Sequence, residues 1–155
     1  MSADDCAEFV RQINKRFAYL FTDHGFEVAN TRPARRGEQC LVLLRSRRCL
    51  LRFISSLGST EISVAVASAP VGGEDVYDGV RHWFNLLGIF SFLQERTLTE
   101  AERQQLGDRL WKMSTDAYLE YMASELRPLL ERVMAAFDEK GFEVRRAEIE
   151  AFLGA

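Results

Sequence analysis

The hydrophobic period changes twice along this chain, and that change restricts the fold more than any other feature. From Asp4 to His24, the residues Cys6, Phe9, Val10, Ile13, Phe17, Leu20 and Phe21 recur at three- and four-residue steps. That spacing puts them on one face of a helix. Asp4, Asp5 and Glu8 lie near its start, where carboxylates suit the positive end of the helix dipole. Gly25 supplies the left-handed residue that stops it, and Phe26 can fold back on the last turn.

Beyond Gly25 the pattern is one of short β-branched and aromatic runs between turn residues. Phe26–Arg32 is extended and Pro33 ends it. Ala34–Glu38 is a turn that contains Arg35 and Arg36. Gln39–Arg45 and Cys49–Ser55 are strands joined through Ser46, Arg47 and Arg48. Leu57–Ser59 turns the chain into a further strand, Thr60–Ser68. These runs predict about four antiparallel strands in sequential order. In the last of them Ile62, Val64 and Val66 alternate with Ser63, Ala65 and Ala67, so the large side chains share one face. Leu41, Leu43, Leu50 and Ile54 keep both faces partly apolar. A helix or another chain is therefore expected over the second face, since a bare apolar patch is rare.

The helical period then returns. Ala69–Asp78 is a loop whose Gly72–Gly73 pair lacks the Gly-Lys-Ser/Thr of a phosphate cradle. Val80–Leu93 predicts a helix apolar on most sides, hence central. Thr99-Glu-Ala-Glu102 fits a capping box. It opens a long helical region that Pro128 is expected to kink or break, into helices of about 25 and about 10 residues, with Gly141 ending the second. Phe21–Val28 and Phe137–Val144 share the pattern F-x-x-x-G-F-E-V, which predicts one helix stop used twice. The other reading is an extra edge strand over Phe142–Arg146; Ala147–Leu153 makes a short final helix.

The expected fold is α+β in two layers within a single domain, residues 1–155. An N-terminal helix, an antiparallel meander of about four strands, an apolar helix and long Pro-kinked C-terminal helices compose it. With 47% hydrophobic and 28% charged residues the chain is globular rather than disordered. Its most apolar stretch, Trp83–Leu93, is about half of the roughly 20 residues a bilayer span needs. Three cysteines without CxxC spacing predict reduced, buried thiols. The acidic start is unlike a secretory signal, so a cytoplasmic protein is expected, with no membrane, metal or cofactor.

Cationic residues number 20 against 23 acidic ones, which excludes a generally basic nucleic-acid coat protein. Lys occurs only at Lys15, Lys112 and Lys140, so 17 of the 20 are Arg. Their distribution is uneven. Between Arg32 and Arg52 seven Arg face a single acid, Glu38, whereas residues 100–155 carry 8 basic and 12 acidic residues. Arg35, Arg36, Arg45, Arg47, Arg48 and Arg52 are the candidate partner or ligand contacts. The plainest account of them is a solvated face partly neutralised by acidic helices. An acidic protein partner comes next, and nucleic acid third, because the aromatic interleaving of single-strand binders is missing.

Two further candidates are weaker. Asp78 and His82 stand four apart and would pair on a helix, the beginning of an acid–base site without a nucleophile to complete it. Asp116, Glu120 and Glu131, with Tyr118 and Tyr121, form a polar stripe lacking the Glu-x-x-His pairs of a bundle metal site. The expected function is a non-catalytic protein-interaction module that binds a protein partner or itself. Its layout is similar to that of small bacterial secretion chaperones and toxin-immunity proteins, an analogy of fold alone. The alternatives are nucleic-acid or phosphate-ligand binding through Arg32–Arg52 and an enzyme site near His82.

Overall fold

The computed structural model describes residues 3–33, 40–56 and 59–154. The turn expected over 34–38, with Arg35 and Arg36, and the turn residues Leu57 and Gly58 lie outside them.

The N-terminal apolar stripe forms two helices, α1 (Ala3–Arg16) and α2 (Ala18–Asp23), separated at Phe17. Cys6, Phe9, Ile13, Phe17 and Leu20 are all buried. Gly25 takes φ +71°, and the Phe26 N–H returns to the Leu20 carbonyl at 3.1 Å. The chain then enters β1 (Glu27–Pro33), β2 (Cys40–Arg45), β3 (Cys49–Ser56) and β4 (Ser59–Val66), an antiparallel meander in sequential order. The β2–β3 turn is held by Ser46, whose hydroxyl accepts from the Arg48 and Cys49 amides at 3.2 and 3.1 Å.

A hairpin follows, β5 (Val76–Tyr77) and β6 (Val80–Arg81), and then β7 (Phe84–Asn85). β7 pairs with β4 and completes a five-stranded sheet ordered β1-β2-β3-β4-β7. This corrects the helix expected from Val80. Asp78 and Gly79, at φ +52° and +77°, make the tight turn of a hairpin, the conformation for which Asp-Gly is suited. Trp83 and Phe84 then point to opposite faces of the sheet, as extended neighbours do. Only Leu86–Leu93 is helical (α3), capped by the Asn85 side chain accepting from the Leu87 amide.

Next come α4 (Glu100–Trp111), α5 (Thr115–Phe137) and α6 (Glu139–Leu153). The Thr99/Glu102 capping box is present. Pro128 does not break the helix: α5 runs through it. Both Pro128 and Ser124, whose carbonyl loses its helical donor, are exposed, so the break in the hydrogen-bond ladder falls on the solvent side of the helix. The breaks fall instead at Ser114, which accepts from the Ala117 amide, and at Asp138, which accepts from the Lys140 amide. Gly141 is no stop. It sits inside α6 where a Cβ would come 2.0 Å from the Ala135 carbonyl oxygen, so it lets two helices meet at the corner. Phe142–Arg146, weighed as an edge strand, is helical, and the two F-x-x-x-G-F-E-V segments end up in different structures.

The main core lies between the sheet and α1, α3 and α5, where Leu44, Leu51, Phe53, Ile62 and Val64 meet Phe17, Ile89, Leu126 and Phe137. The opposite face carries Leu41, Leu43, Leu50 and Ala65, and Ala69 and Trp83 cover it. The cover expected from a helix or a second chain is thus supplied by the chain's own loop and hairpin. Cys6 and Cys40 form a disulfide that ties α1 to β2, with their Cα atoms 5.5 Å apart. That corrects the expectation of three reduced thiols; Cys49 alone is free and buried.

Candidate functional site

β7 is only two residues long because the chain leaves the sheet after Asn85, whose side chain caps α3. It faces β4 at Val64 and Ser63, and the register ends there. The adjoining part of β4, Ser59–Ile62, has β3 on one side and, among the described residues, no strand on the other. A groove of about 450 Å³ occupies this place. Ser59, Thr60 and Glu61 form its sheet wall, and Leu110, Trp111, Met113 and Tyr118 face them from the α4–α5 corner.

The corner is built differently from the rest of the molecule. α4 buries none of its residues. Trp111 at its C-terminal end is 72% exposed, whereas Trp83 is fully buried. Glu61, the one carboxylate among the lining residues, has no ion-pair partner among the described residues. The Tyr118 phenol is buried and pushed up to about 12, first by loss of hydration and then by the Glu61 charge. The groove therefore offers apolar and aromatic surface, hydroxyls, one carboxylate and the free side of a strand.

The Arg cluster disperses in the fold. Arg52 is 1% exposed and belongs to the interior. It donates to the Gly72 and Glu74 carbonyls at 3.1 and 3.0 Å and to Asp75, pinning the loop over the sheet. Arg48 reaches Glu131 at 3.4 Å and Asp138 at 3.9 Å. Arg16 makes a two-pronged contact with Asp116, at 3.0 and 2.6 Å, which holds that carboxyl below its ordinary range. Asp116, Glu120 and Glu131 of the long helix thus face basic side chains from the N-terminal half. Arg45 and Arg47 remain exposed.

Asp78 and His82 are not on a helix, which corrects their expected pairing. Asp78 is exposed at the hairpin tip, while the His82 amide donates to the Asp75 carbonyl at 2.8 Å and its ring packs on Tyr77. Among the described residues no group of His, Cys, Asp and Glu is placed to hold a metal ion. No described helix is long and apolar enough to cross a membrane.

Of the residues that line the groove, the sequence singles out Tyr118 alone, as part of a polar stripe. Leu106 and Leu110 continue a helical stripe, but Trp111 lies about 100° off it, and that misplacement is the one local signal. Comparison with protein-family models, curated proteins and solved structures finds no match.

Proposed function

We propose that this chain is a non-catalytic binding module that takes a segment of a partner protein in the groove between β4 and the α4–α5 corner. The observation that carries the reading is the exposure of Trp111, at 72%, on the rim of that groove. Tryptophan buried in a partner's pocket is the residue type that most often dominates binding energy. Leu87, Leu110 and Met113 extend the apolar lining around it. The phosphate or nucleic-acid alternative has less support, since Arg52 is interior and Arg48 is engaged with carboxylates, leaving Arg45 and Arg47 among the described residues of the cluster. The Cys6–Cys40 disulfide supports an oxidising compartment over the cytoplasm.

The test replaces Trp111 by a photoreactive p-benzoylphenylalanine and, as control, does the same at Val144, which is 78% exposed on α6. In an extract of the source cells, irradiation should join one defined partner to position 111 and not to 144. Excess unmodified chain should compete, and the Trp111→Ala chain should not. Equal products at both positions, or none at 111, would count against the groove as the binding site.

A further inference from the structure

We infer that the occupant of this groove is an extended peptide segment that adds to the free part of β4 as a strand, carrying a basic side chain beside Glu61. The inference rests on the reading of the groove as a binding site and names what enters it. Its first ground is backbone chemistry. β7 would continue along β4 opposite Ile62 to Ser59, but Asn85 caps α3 and takes the chain away. Four residues of β4 are left, and in an antiparallel strand alternate residues point their N–H and C=O to the same side. Two of the four therefore present both groups to the groove. An extended segment satisfies them as β7 satisfies its neighbours; a helix, with its own groups already paired, does not.

The second ground is the difference between the two sides that the added strand would meet. Side chains of a strand alternate, so those on the side of Thr60 and Ile62 turn toward the α4–α5 corner. There they meet Leu110, Trp111, Met113 and Tyr118. Those on the other side stand level with Ser59 and Glu61. Glu61 is exposed and without an ion pair among the described residues. The segment that fits alternates basic and apolar residues over about four positions, roughly 13 Å of strand. The edge at the far side of the sheet is a poorer template. A bulge between Val28 and Asn30 interrupts β1 there, and bulged edges resist addition.

The experiment uses the full chain and a capped octapeptide of alternating Lys and Val. Trp83 is buried and Trp111 lines the groove, so tryptophan emission reports on Trp111. The peptide should shift that emission to the blue and saturate. Methylating its amide nitrogens on the edge that faces β4 keeps the side chains and removes the backbone donors; affinity should fall about tenfold or more. Glu61→Lys should weaken the Lys peptide and favour its Glu–Val counterpart. Equal binding by the methylated peptide, or an emission unmoved by the unmethylated one, overturns the inference. A chain that sediments as a dimer, and as a monomer after Trp111→Ala, assigns the groove to a second copy and also overturns it. Photocrosslinking at position 111 with no effect of methylation would leave the groove reading standing and remove only the added strand.

Discussion

The Arg52 guanidinium lies 4.6 Å from the centre of the Trp83 indole, beneath the loop that both residues hold to the sheet. Trp83 donates through Nε1 to the Pro70 carbonyl at 2.8 Å, and Arg52 binds the carbonyls of Gly72 and Glu74 and the Asp75 carboxylate. The second sheet face is closed by these contacts rather than by apolar packing alone. Removing the Arg52 side chain empties a fully buried place beside Trp83 and takes the donor from the Gly72 and Glu74 carbonyls, while the partly exposed Asp75 keeps Arg81 at 3.6 Å. Arg52→Ala should lower stability by about 3 kcal/mol in urea denaturation. Arg52→Lys should restore less than half, because an ammonium cannot fork to both carbonyls and the carboxylate. In a Trp111→Phe background, Trp83 emission should shift to the red in the Ala variant. An unchanged midpoint would show that the loop is held by other means.

How much of this was legible follows from where each signal resides. The meander was legible because its strands are local and end at turn residues. Ser46-Arg47-Arg48 and the Gly25 stop lie where the pattern puts them. Val76-Tyr-Asp-Gly-Val-Arg81 carries a local hairpin signal, Asp-Gly between β-prone residues. The apolar run after it overrode that signal and suggested a helix. Pro128 misled in the opposite direction, since its cost depends on whether the carbonyl it frees meets water. The burial of Arg52 has no local signal, and the groove beside β4 has only the off-stripe position of Trp111. Both depend on where the chain goes after Val66.

The disulfide is another long-range fact. Cys6 lies on the apolar face of α1 and Cys40 begins β2, so their meeting depends on how helix and sheet pack. The closed loop has a sequence separation of 34. Closing a loop of that length in the unfolded chain is worth about 4 kcal/mol on the chain-entropy account. Cys6→Ala with Cys40→Ala should lose most of that, and added reductant should then have no further effect on the urea midpoint. Equal midpoints for the parent with and without reductant, after full reduction of the unfolded chain, would remove the disulfide from the stability of this fold.

Alkali should destabilise the fold in a defined window. Burial pushes the Cys49 thiol up to about 12, with Ser46 and Arg48 opposing, and the Tyr118 phenol also to about 12. Tyr19 is raised as well, mainly by burial, and its hydroxyl donates to the Ala123 carbonyl at 2.7 Å. In the unfolded chain a thiol ionises near pH 8.5 and a phenol near pH 10. Below that range both states hold their protons, and stability does not depend on these groups. Above it the unfolded chain has lost protons that the folded chain keeps, so stability falls as pH rises toward about 12. The slope approaches about 1.4 kcal/mol per pH unit for each group. Urea midpoints between about pH 8 and about pH 10 should fall less steeply in Cys49→Ala than in the parent. The same slope in both would show that Cys49 ionises without opening the core.

Two helical glycines should respond in opposite ways to the same substitution. Alanine favours a helix over glycine by about 1 kcal/mol. At Gly141 that gain meets the Ala135 carbonyl oxygen, 2.0 Å from the new Cβ, and backbone cannot rotate away as a side chain can. Gly141→Ala should therefore cost about 1–3 kcal/mol net in urea denaturation, with α5 and α6 forced apart at the Asp138 corner. At Gly107 nothing lies within 4 Å of the added atom, so the helical preference is kept. That gain should stay local, because α4 buries no residue and opens without disturbing the core. Native-state hydrogen exchange should find α4 amides slowed about fivefold in Gly107→Ala, while the global midpoint moves little. A stabilised midpoint in Gly141→Ala would mean that the helix corner adjusts freely. A midpoint raised by the full helical gain in Gly107→Ala would mean that α4 unfolds with the core, and that the groove wall carrying Trp111 is as firm as the sheet opposite.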